Sequence, residues 1–420
     1  MNRKIKVAWI CHLSNSQIRD SLKFDKWSPM VILRRLTKKI HMSDYASWNI
    51  KAIREFEKFD DIELHIIAPH PYISDEQSFM INNISYHFFE NEDESLCKVL
   101  RYKITKKNKS AYHKNSHTIC KIIQQIQPDL IHLIGAENPH YSESVLHLPT
   151  NIPLIVSLQT LMNDPDFLKN YPISNDSYRY RSAIEKEILL RADYIGTELE
   201  HFIKLIKSNI YEGAKFLDMS LAVGEDIIIR NYQKSYDFVY FAADISKAID
   251  YAIEAFAIAK QRYPNITLHV VGGFSDGLMS SLRQRMYELN LGDEVDFTGR
   301  LKTFDDVLNE VRKARFALLP LKIDQISGTI RESMANGLPV VTTITPATPK
   351  LNEKRESVLL SKKGDFQSMA DNMCRLLSDE KFAQVIQQNA VVTLNEKYSN
   401  VTAMQKWREN YYKILNIKMY

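Results

Sequence analysis

The sequence predicts an α/β fold built from two parallel sheets with covering helices. Short apolar runs rich in β-branched residues alternate with helical patterns along the chain. The alternation restarts after a polar stretch at residues 221–235. The 420 residues also exceed the about 100–200 residues of one ordinary domain. We therefore expect two Rossmann-like halves joined by a short linker.

The first half opens with "KIKVAWIC", an apolar run that suits a strand buried in a parallel sheet. The later strands end at proline, glycine or polar residues, and the helices carry apolar residues at helical spacing. Strands are expected at residues 4–11, 62–69, 128–135, 152–159 and 193–197, and helices at 45–59, 112–126 and 178–192.

The second half repeats the pattern. Ser246 is the expected N-cap of its first helix, and Gly292 is expected to end the second helix. A further helix is expected to start near Gly328, and the last one carries Trp407 and Tyr411 on one stripe. Strands are expected at residues 236–243, 266–273, 294–299, 315–321 and 339–345, and helices at 246–263, 281–292, 304–314 and 400–416.

Composition excludes several classes of protein. Four scattered cysteines show neither zinc-ligand spacing nor a disulfide framework. No run approaches about 18 apolar residues, so no membrane-spanning helix is expected, and the N-terminal run reads as a strand rather than a signal peptide. A cytoplasmic protein is the expectation.

Basic residues form two clusters on a chain with a net charge of only +4. Residues 34–41 hold four Lys and Arg, and residues 101–114 hold six with tyrosines between them. Such clusters bind phosphates, nucleic acid or an anionic membrane surface, or are simply a solvated surface.

The stretch "DQISGTIRESMANGLPVV" at residues 324–341 predicts an anion site. It places Ser327, Gly328 and Thr329 at a helix start after a strand, where free backbone N–H groups and the helix dipole attract phosphate. Glu332 lies one turn further, and Asp324 lies in the loop. Carboxylates repel phosphate but accept hydrogen bonds from hydroxyls, so the combination suggests a nucleotide-sugar.

A plainer interpretation of the same residues stays open. Glu332 is then a helix acid that stabilises the dipole, and Gly337 is only the C-terminal cap before the next strand. Glycine is scarce in this chain, with 12 residues, which favours a backbone role at each position.

The second half resembles the GT-B glycosyltransferases of family 4. The resemblance rests on "D-QISGTIR-E-SMANGLPVV", on "ISKAIDYAIEAF", on "LHVVGG" and on "FTGRLKTFDDVLNEVRKARFALLPL", and it covers about residues 236–380. It implies two Rossmann-like domains facing across a cleft, at residues 1–230 and 231–398. A helix at residues 399–420 would cross back to the N-terminal domain.

The resemblance also implies site residues and a reaction. Asp324, Glu332 and Lys247 take the catalytic positions, and the donor-binding positions are Ser327, Gly328, Thr329, Gly272 and Arg300. The implied reaction is a retaining transfer from a nucleotide-sugar donor, with no metal and no other cofactor. Asp305 and Asp306 are interpreted as the first turn of a helix rather than as a metal motif.

The sequence departs from the family pattern at several positions. Ala242 stands where the family has an arginine that binds the diphosphate. One cation of the family site is therefore missing, unless Arg300 or Arg331 supplies it from elsewhere in the chain. "CHLSNSQIRDS" lacks the glycine-rich loop after the first strand, and Gln159 occupies the usual histidine position.

Candidate acceptor contacts follow the strands of the first half. They are His12, Glu137, Asn138, His140 and Gln159, although ordinary loop roles stay open for them. His132 lies inside a strand and is interpreted as a packing residue.

The leading hypothesis is a glycosyltransferase of surface polysaccharide or glycolipid synthesis. Its acceptor would be a saccharide or a lipid-linked saccharide, with possible contact to the inner membrane face and none to nucleic acid. The alternatives are a catalytically inactive GT-B-like binding or assembly partner and a nucleotide-sugar epimerase. A dehydrogenase is disfavoured because no GxGxxG follows a predicted strand.

Overall fold

The computed structural model describes residues 3–25, 44–92, 112–167, 173, 175–221, 232–242, 247–322 and 327–418. Residues 34–41 and 101–111 of the basic clusters lie outside the described residues, and so does the predicted domain boundary at 230/231. The chain divides into two compact units. The first takes the described parts of Met1–Leu168, Pro172–Leu221 and Ala403–Tyr420, and the second takes those of Ala222–Thr402.

In the described residues, the first unit is built on an eight-stranded sheet. Its strands are β1 Ile5–Ile10, β2 Ile62–His70, β3 Gln77–Ile81, β4 Ile84–Glu90, β5 Leu130–Ile134, β6 Leu154–Ser157, β7 Tyr194–Gly196 and β8 Phe216–Leu217. Their order is β3-β4-β2-β1-β5-β6-β7-β8, and β3 is antiparallel to β4 while the other neighbours are parallel. The five predicted strands are confirmed as β1, β2, β5, β6 and β7.

The helices of the first unit follow the predicted pattern in part. They are α1 Ser16–Ser21, α2 Ser47–Phe56, α3 His113–Ile126, α4 Pro139–Ser142, α5 Asn175–Arg191 and α6 Glu200–Asn209. The predicted helices correspond to α2, α3 and α5. Helices α2 and α3 turn isoleucines toward the sheet, as their apolar spacing requires.

The second unit is built on a parallel sheet whose described strands number six. They are β9 Tyr236–Phe241, β10 Leu268–Val271, β11 Val295–Phe297, β12 Ala314–Leu318, β13 Val340–Thr343 and β14 Leu359–Ser361. Their order is β11-β10-β9-β12-β13-β14. All five predicted strands of this half are confirmed, and only β14 was not predicted.

Six described helices accompany this sheet. They are α7 Ile249–Arg262, α8 Asp276–Glu288, α9 Phe304–Val311, α10 Gly328–Ala335, α11 Phe366–Ser378 and α12 Glu380–Thr393. Two predicted caps are wrong. Helix α7 is preceded by Ala248 in the left-handed conformation rather than by Ser246, and α8 ends at Glu288, before Asn290 adopts a positive φ.

The last helix, α13 Asn400–Leu415, packs on the first unit from Ala403 onward, as predicted. The Trp407 indole donates to the backbone oxygen of Ser220 at 2.9 Å. The Tyr411 hydroxyl receives the indole N–H of Trp9 at 2.9 Å and contacts Nδ1 of His132 at 2.7 Å. His132 is fully buried, so its predicted packing role is confirmed.

Each sheet reverses its strand order at one point. The reversal lies between β1 and β5 in the first sheet and between β9 and β12 in the second. Ligands of open α/β sheets bind at the carboxyl ends of the strands beside such a point. Among the helices that the structure describes, none is long and apolar enough to cross a membrane.

Candidate functional site

The reversal point of the second sheet brings two predicted site residues into contact. Because β9 and β12 are parallel neighbours, the segments that follow them leave the same edge of the sheet. The segment after β9 carries Lys247, and the one after β12 carries Ser327. The Lys247 ammonium donates to the Ser327 hydroxyl at 3.0 Å.

Lys247 is held from its backbone as well. The hydroxyl of Tyr240, in β9, donates to the backbone oxygen of Lys247 at 3.1 Å. Tyr240 is fully buried, so this contact ties the lysine to the sheet edge. The cation is therefore positioned by the core of the unit rather than by a solvated helix face.

The start of α10 presents backbone donors beside that cation. The Ser327 hydroxyl does not cap the helix; it contacts the Thr329 hydroxyl at 2.9 Å in addition to Lys247. The N–H groups of Gly328 and Thr329 belong to the first turn, where an α-helix offers no acceptor of its own. Hydroxyls, ammonium and amide donors thus share one edge, and the helix dipole adds positive potential.

Of the two predicted acids, the structure describes Glu332 but not Asp324. Glu332 lies one turn into α10 and is buried, with 4 % of its surface exposed. Asp324 lies outside the described residues. The structure also places Gly337 at a φ of +71° directly after Asn336, the last cap residue of α10, in agreement with the plainer interpretation of that glycine.

Gly272 ends β10 where only glycine fits. Its φ is +134°, and a Cβ there would lie 2.7 Å from the backbone oxygen of Ala242. Arg300 lies on the same side, since a Cβ on Gly273 would meet the Cβ of Arg300 at 2.7 Å. The predicted donor residues Gly272 and Arg300 therefore lie at the carboxyl ends of β10 and β11, on the edge that carries Lys247.

A further cation at this edge, besides Lys247 and Arg300, was not predicted. Lys322 follows β12, donates to the Asp250 carboxylate at 2.7 Å and lies 5.2 Å from the centre of the Tyr251 ring. A lysine in the loop after a predicted strand was the signal available in the sequence. By contrast, Arg331 is buried with its guanidinium 5.5 Å from the centre of the Tyr398 ring.

The acceptor-side candidates also meet at one edge, in the first unit. His12 follows β1, Glu137 and His140 follow β5, and Gln159 follows β6. These three strands are parallel neighbours in the order β1-β5-β6, so the residues after them leave the same edge. The structure therefore brings the predicted set together.

His12 is enclosed by aromatic rings. Its Nδ1 lies 3.2 Å from the Tyr141 hydroxyl, and its ring stacks on Tyr45 with centroids 5.9 Å apart. Trp48 presents an edge at 6.4 Å, and His140 lies at the same centroid distance. Burial lowers the pKa of His12 to about 3, and repulsion from His140 adds to the effect.

Glu137 is a buried carboxyl, with 6 % of its surface exposed. Asn138 donates to its Oε1 at 3.0 Å. With the amide of Gln159 oriented to satisfy both ends, its nitrogen donates to the same oxygen at 3.1 Å and its oxygen accepts from the Trp48 indole at 3.0 Å. Burial raises the pKa of Glu137 to about 7, against the lowering effect of its own backbone and of Arg181.

The second carboxyl oxygen of Glu137 has no hydrogen-bond partner in the described residues. It faces Gly135, whose φ is +89° and where a Cβ would lie 3.0 Å from that oxygen. Trp48 and Tyr141 complete the surroundings, and sequence reasoning missed both. Aromatic residues near a strand end are more often core than site, so the sequence carried no separate signal for them.

Two negative expectations concern metal ions. Asp306 forms a capping box with Thr303 at the start of α9, which confirms the interpretation of Asp305 and Asp306 as a helix turn. In the part of the chain that the structure describes, no three His, Cys, Asp or Glu side chains are grouped to hold a metal ion. That transfer needs no metal stays a prediction.

Comparisons with known proteins agree with this architecture. The profile of the family "Glycosyl transferases group 1" matches residues 237–379. An uncharacterized glycosyltransferase of Methanocaldococcus jannaschii is 21% identical over 362 residues, which is 86% of this chain and 93% of that protein.

Two solved structures share the fold over nearly the whole chain. Sucrose-phosphate synthase from Thermosynechococcus elongatus has a TM-score of 0.68 at 15% identity and covers 98% of this chain and 100% of its own. HepE of Anabaena, solved in complex with UDP and glucose, has a TM-score of 0.62 at 15% identity and covers 97% and 100%. The expected GT-B fold is confirmed, and residues 237–379 are similar to the group 1 glycosyltransferases.

Proposed function

We propose that this protein is a retaining glycosyltransferase that moves a sugar from a nucleotide-sugar to a saccharide or lipid-linked acceptor. One observation carries the proposal. The Lys247 ammonium and the Ser327 hydroxyl lie 3.0 Å apart at the reversal point of the second sheet, directly before the N-terminus of α10.

This arrangement suits a departing nucleoside diphosphate. As the bond to the sugar breaks, negative charge develops on the diphosphate. Lys247 supplies a positive charge, and the N–H groups of Gly328 and Thr329 supply preorganised donors. Lys322, which pairs with the Asp250 carboxylate, is a further cation at the same edge of a chain that has Ala242 where the family has an arginine.

The acids fit the hydroxyl groups on either side of the diphosphate. Glu332 is buried one turn beyond the first amides of α10, and its carboxylate can accept hydrogen bonds from neutral donors. Hydroxyls of a ribose or of the transferred sugar are such donors. Asp324 is assigned the matching role on the sequence pattern alone.

The donor class is supported by a relative. The Anabaena protein HepE holds UDP and glucose in its solved structure. We extend a nucleoside diphosphate sugar, and a reaction without a metal or other cofactor, to this chain as part of the proposal. Retention of configuration follows from the resemblance to family 4.

The acceptor is assigned to the first unit, at the edge that carries His12, Glu137, His140 and Gln159. These groups and the rings around them suit neutral hydroxyl-bearing molecules. Synthesis of a surface polysaccharide or glycolipid in the cytoplasm, at the inner face of the membrane, is the setting that we propose.

One observation favours a second candidate, a nucleotide-sugar-binding partner that does not transfer. Ala242 carries only a methyl group where the family has an arginine, and a Cβ on Gly272 would lie 2.7 Å from its backbone oxygen. The two candidates differ in turnover. Binding of nucleotide-sugars without transfer to any saccharide of an acceptor panel would select this one.

A thermal-shift screen across UDP-, GDP-, ADP- and dTDP-sugars tests donor binding. A ligand at about 100 times its dissociation constant stabilises the folded state by about 2.7 kcal/mol, so one class should raise the Tm clearly. Glu332→Ala should abolish that rise, while the exposed Glu356→Ala should keep it. A chain that responds to none of these sugars would overturn the proposal, and an unchanged response in Glu332→Ala would remove Glu332 from the site.

A further inference from the structure

The hydrogen bonds around Tyr141 determine which nitrogen of His12 carries the proton. The Tyr141 hydroxyl donates to the backbone oxygen of Ile134 at 3.1 Å, and a carbonyl can only accept. Ile134 is fully buried, so a carbonyl left without its donor there would be costly. With its single proton used, the Tyr141 oxygen can only accept from Nδ1 of His12 at 3.2 Å.

A neutral imidazole has one N–H, so Nε2 of His12 then carries a lone pair. The ring is neutral near physiological pH because burial keeps its pKa far below that range. No hydrogen bond in the described residues uses Nε2. His12 is half-buried, so part of this residue is accessible to solvent.

The lone pair is held in a fixed direction. Tyr45 stacks on one side of the ring and Trp48 presents its edge to it. The amide of Asn49 donates to the backbone oxygen of His12 at 3.0 Å. Contacts on the ring, on Nδ1 and on the backbone leave Nε2 as the one polar atom of His12 available to a ligand in the described structure.

We propose that Nε2 of His12 accepts a hydrogen bond from a hydroxyl group of the sugar acceptor and orients that hydroxyl for transfer. The inference rests on the proposed function, because it assigns a residue to the acceptor of that reaction. The ligand chemistry is a neutral alcohol, since a lone pair attracts an O–H group and repels an anion.

His12 orients the hydroxyl and does not retain its proton. A nitrogen with a pKa of about 3 is a weak base at neutral pH. Tyr141 cannot relay the proton either. Its own proton is donated in a hydrogen bond to the Ile134 carbonyl, and a backbone carbonyl does not take up a proton. No covalent step therefore passes through this pair.

The tautomer is measurable without knowing the acceptor. Ring nitrogens of 15N-histidine-labelled full-length protein distinguish a protonated nitrogen from a bare one, and His12→Asn assigns the signals. We expect Nδ1 protonated and Nε2 bare in the wild type. Tyr141→Phe removes the group that fixes this choice, so we expect both tautomers there. Finding Nε2 protonated in the wild type would overturn the inference whatever the enzyme transfers.

Glycerol serves as the hydroxyl probe, with UDP-glucose as the donor probe. In His12→Asn, whose amide can still reach Tyr141, we expect kcat/KM for transfer to glycerol to fall about threefold to tenfold, the effect of one lost hydrogen bond. Binding of UDP should be unchanged, and the exposed His147→Asn should match the wild type throughout. Equal transfer by His12→Asn and the wild type would overturn the inference.

The outcomes separate this inference from the proposed function. A wild type that binds no nucleotide-sugar and transfers nothing sinks the proposed function, and with it the assignment to an acceptor. A wild type that binds and transfers, with the wrong tautomer at His12 or an unaffected His12→Asn, sinks only the inference. A bare Nε2 together with selective loss of transfer supports both.

Discussion

The two sheets offer the same position with opposite chemistry. Each has one reversal of strand order, and each gathers its candidate site residues at the carboxyl ends of the strands beside it. The edge in the second sheet (the second edge) holds Lys247, Lys322 and Arg300, together with hydroxyls and the start of a helix. The edge in the first sheet (the first edge) holds aromatic rings, the neutral His12 and Glu137, a carboxyl whose pKa is raised by burial to about 7.

The two sheets share a topology that forms a candidate site at each edge, and their side chains determine which ligand chemistry each edge suits. Positive potential at the second edge suits a diphosphate. At the first edge, burial disfavours charge on His12 and on Glu137 alike, so a charged ligand gains little there and a neutral polyol is the better match. The predictions below test whether this contrast is real.

Lys247→Ala should have the largest effect. Removing one preorganised group from a developing anion typically lowers kcat by about 10² to 10³. We expect a loss of that size in transfer, measured with the donor that raises the Tm most. The exposed Lys381→Ala in α12 is the matched control and should keep full activity. If Lys247→Ala retained wild-type activity, the second edge would not be the cationic site.

Glu137→Gln should change how stability depends on pH. The pKa of Glu137 is raised from 4.5 to about 7 in the folded state. Between these values the folded state binds more protons than the unfolded state, so this carboxyl makes the protein less stable as the pH rises through that range. Glutamine removes that loss, and the free energy of unfolding of the variant should gain on the wild type by up to about 1.4 kcal/mol per pH unit.

Urea unfolding at about pH 5, about pH 6 and about pH 7 measures this difference. Glu185 is a buried neighbour whose pKa burial also raises to about 7, and it remains in both proteins. The comparison must therefore be between variant and wild type, not the slope of either alone. Exposed Glu212→Gln should run parallel to the wild type. A parallel curve for Glu137→Gln would show that Glu137 is charged, and the contrast between the edges would fail.

Much of the second unit could be predicted from the sequence, because its signals are local. Apolar runs of four to eight residues marked its strands, and Ser327-Gly328 beside a strand end marked the candidate anion site. The helix caps were missed, since Ala248 at a φ of 51° has no pattern that distinguishes it from Ser246. Lys322 was missed because only folding brings it against Asp250 and Tyr251.

The first edge could be predicted only as a list of candidates. Strand ends gave His12, Glu137, His140 and Gln159, but not the contacts among them. The tautomer of His12 depends on Tyr141 at a sequence distance of 129 residues, and the amide of Gln159 depends on Trp48. Burial of Glu137 is likewise a property of the packed unit. Long-range contacts of this kind leave no periodicity in the sequence.

Thr329→Val should have the smallest effect, and it tests how much a single hydroxyl contributes at the second edge. Valine keeps the shape and the backbone N–H of Thr329 but removes the hydroxyl that lies 2.9 Å from Ser327. Ser327 would keep its contact with Lys247 and lose a second constraint on its orientation. We expect nucleotide-sugar affinity, measured by calorimetry, to weaken about threefold to tenfold, as for one hydrogen bond. The exposed Thr150→Val in the first unit should bind as the wild type does. If Thr329→Val weakened nucleotide-sugar affinity as much as Lys247→Ala does in the same calorimetric measurement, the hydroxyls rather than the ammonium would hold the diphosphate. The roles assigned to these groups would then be reversed.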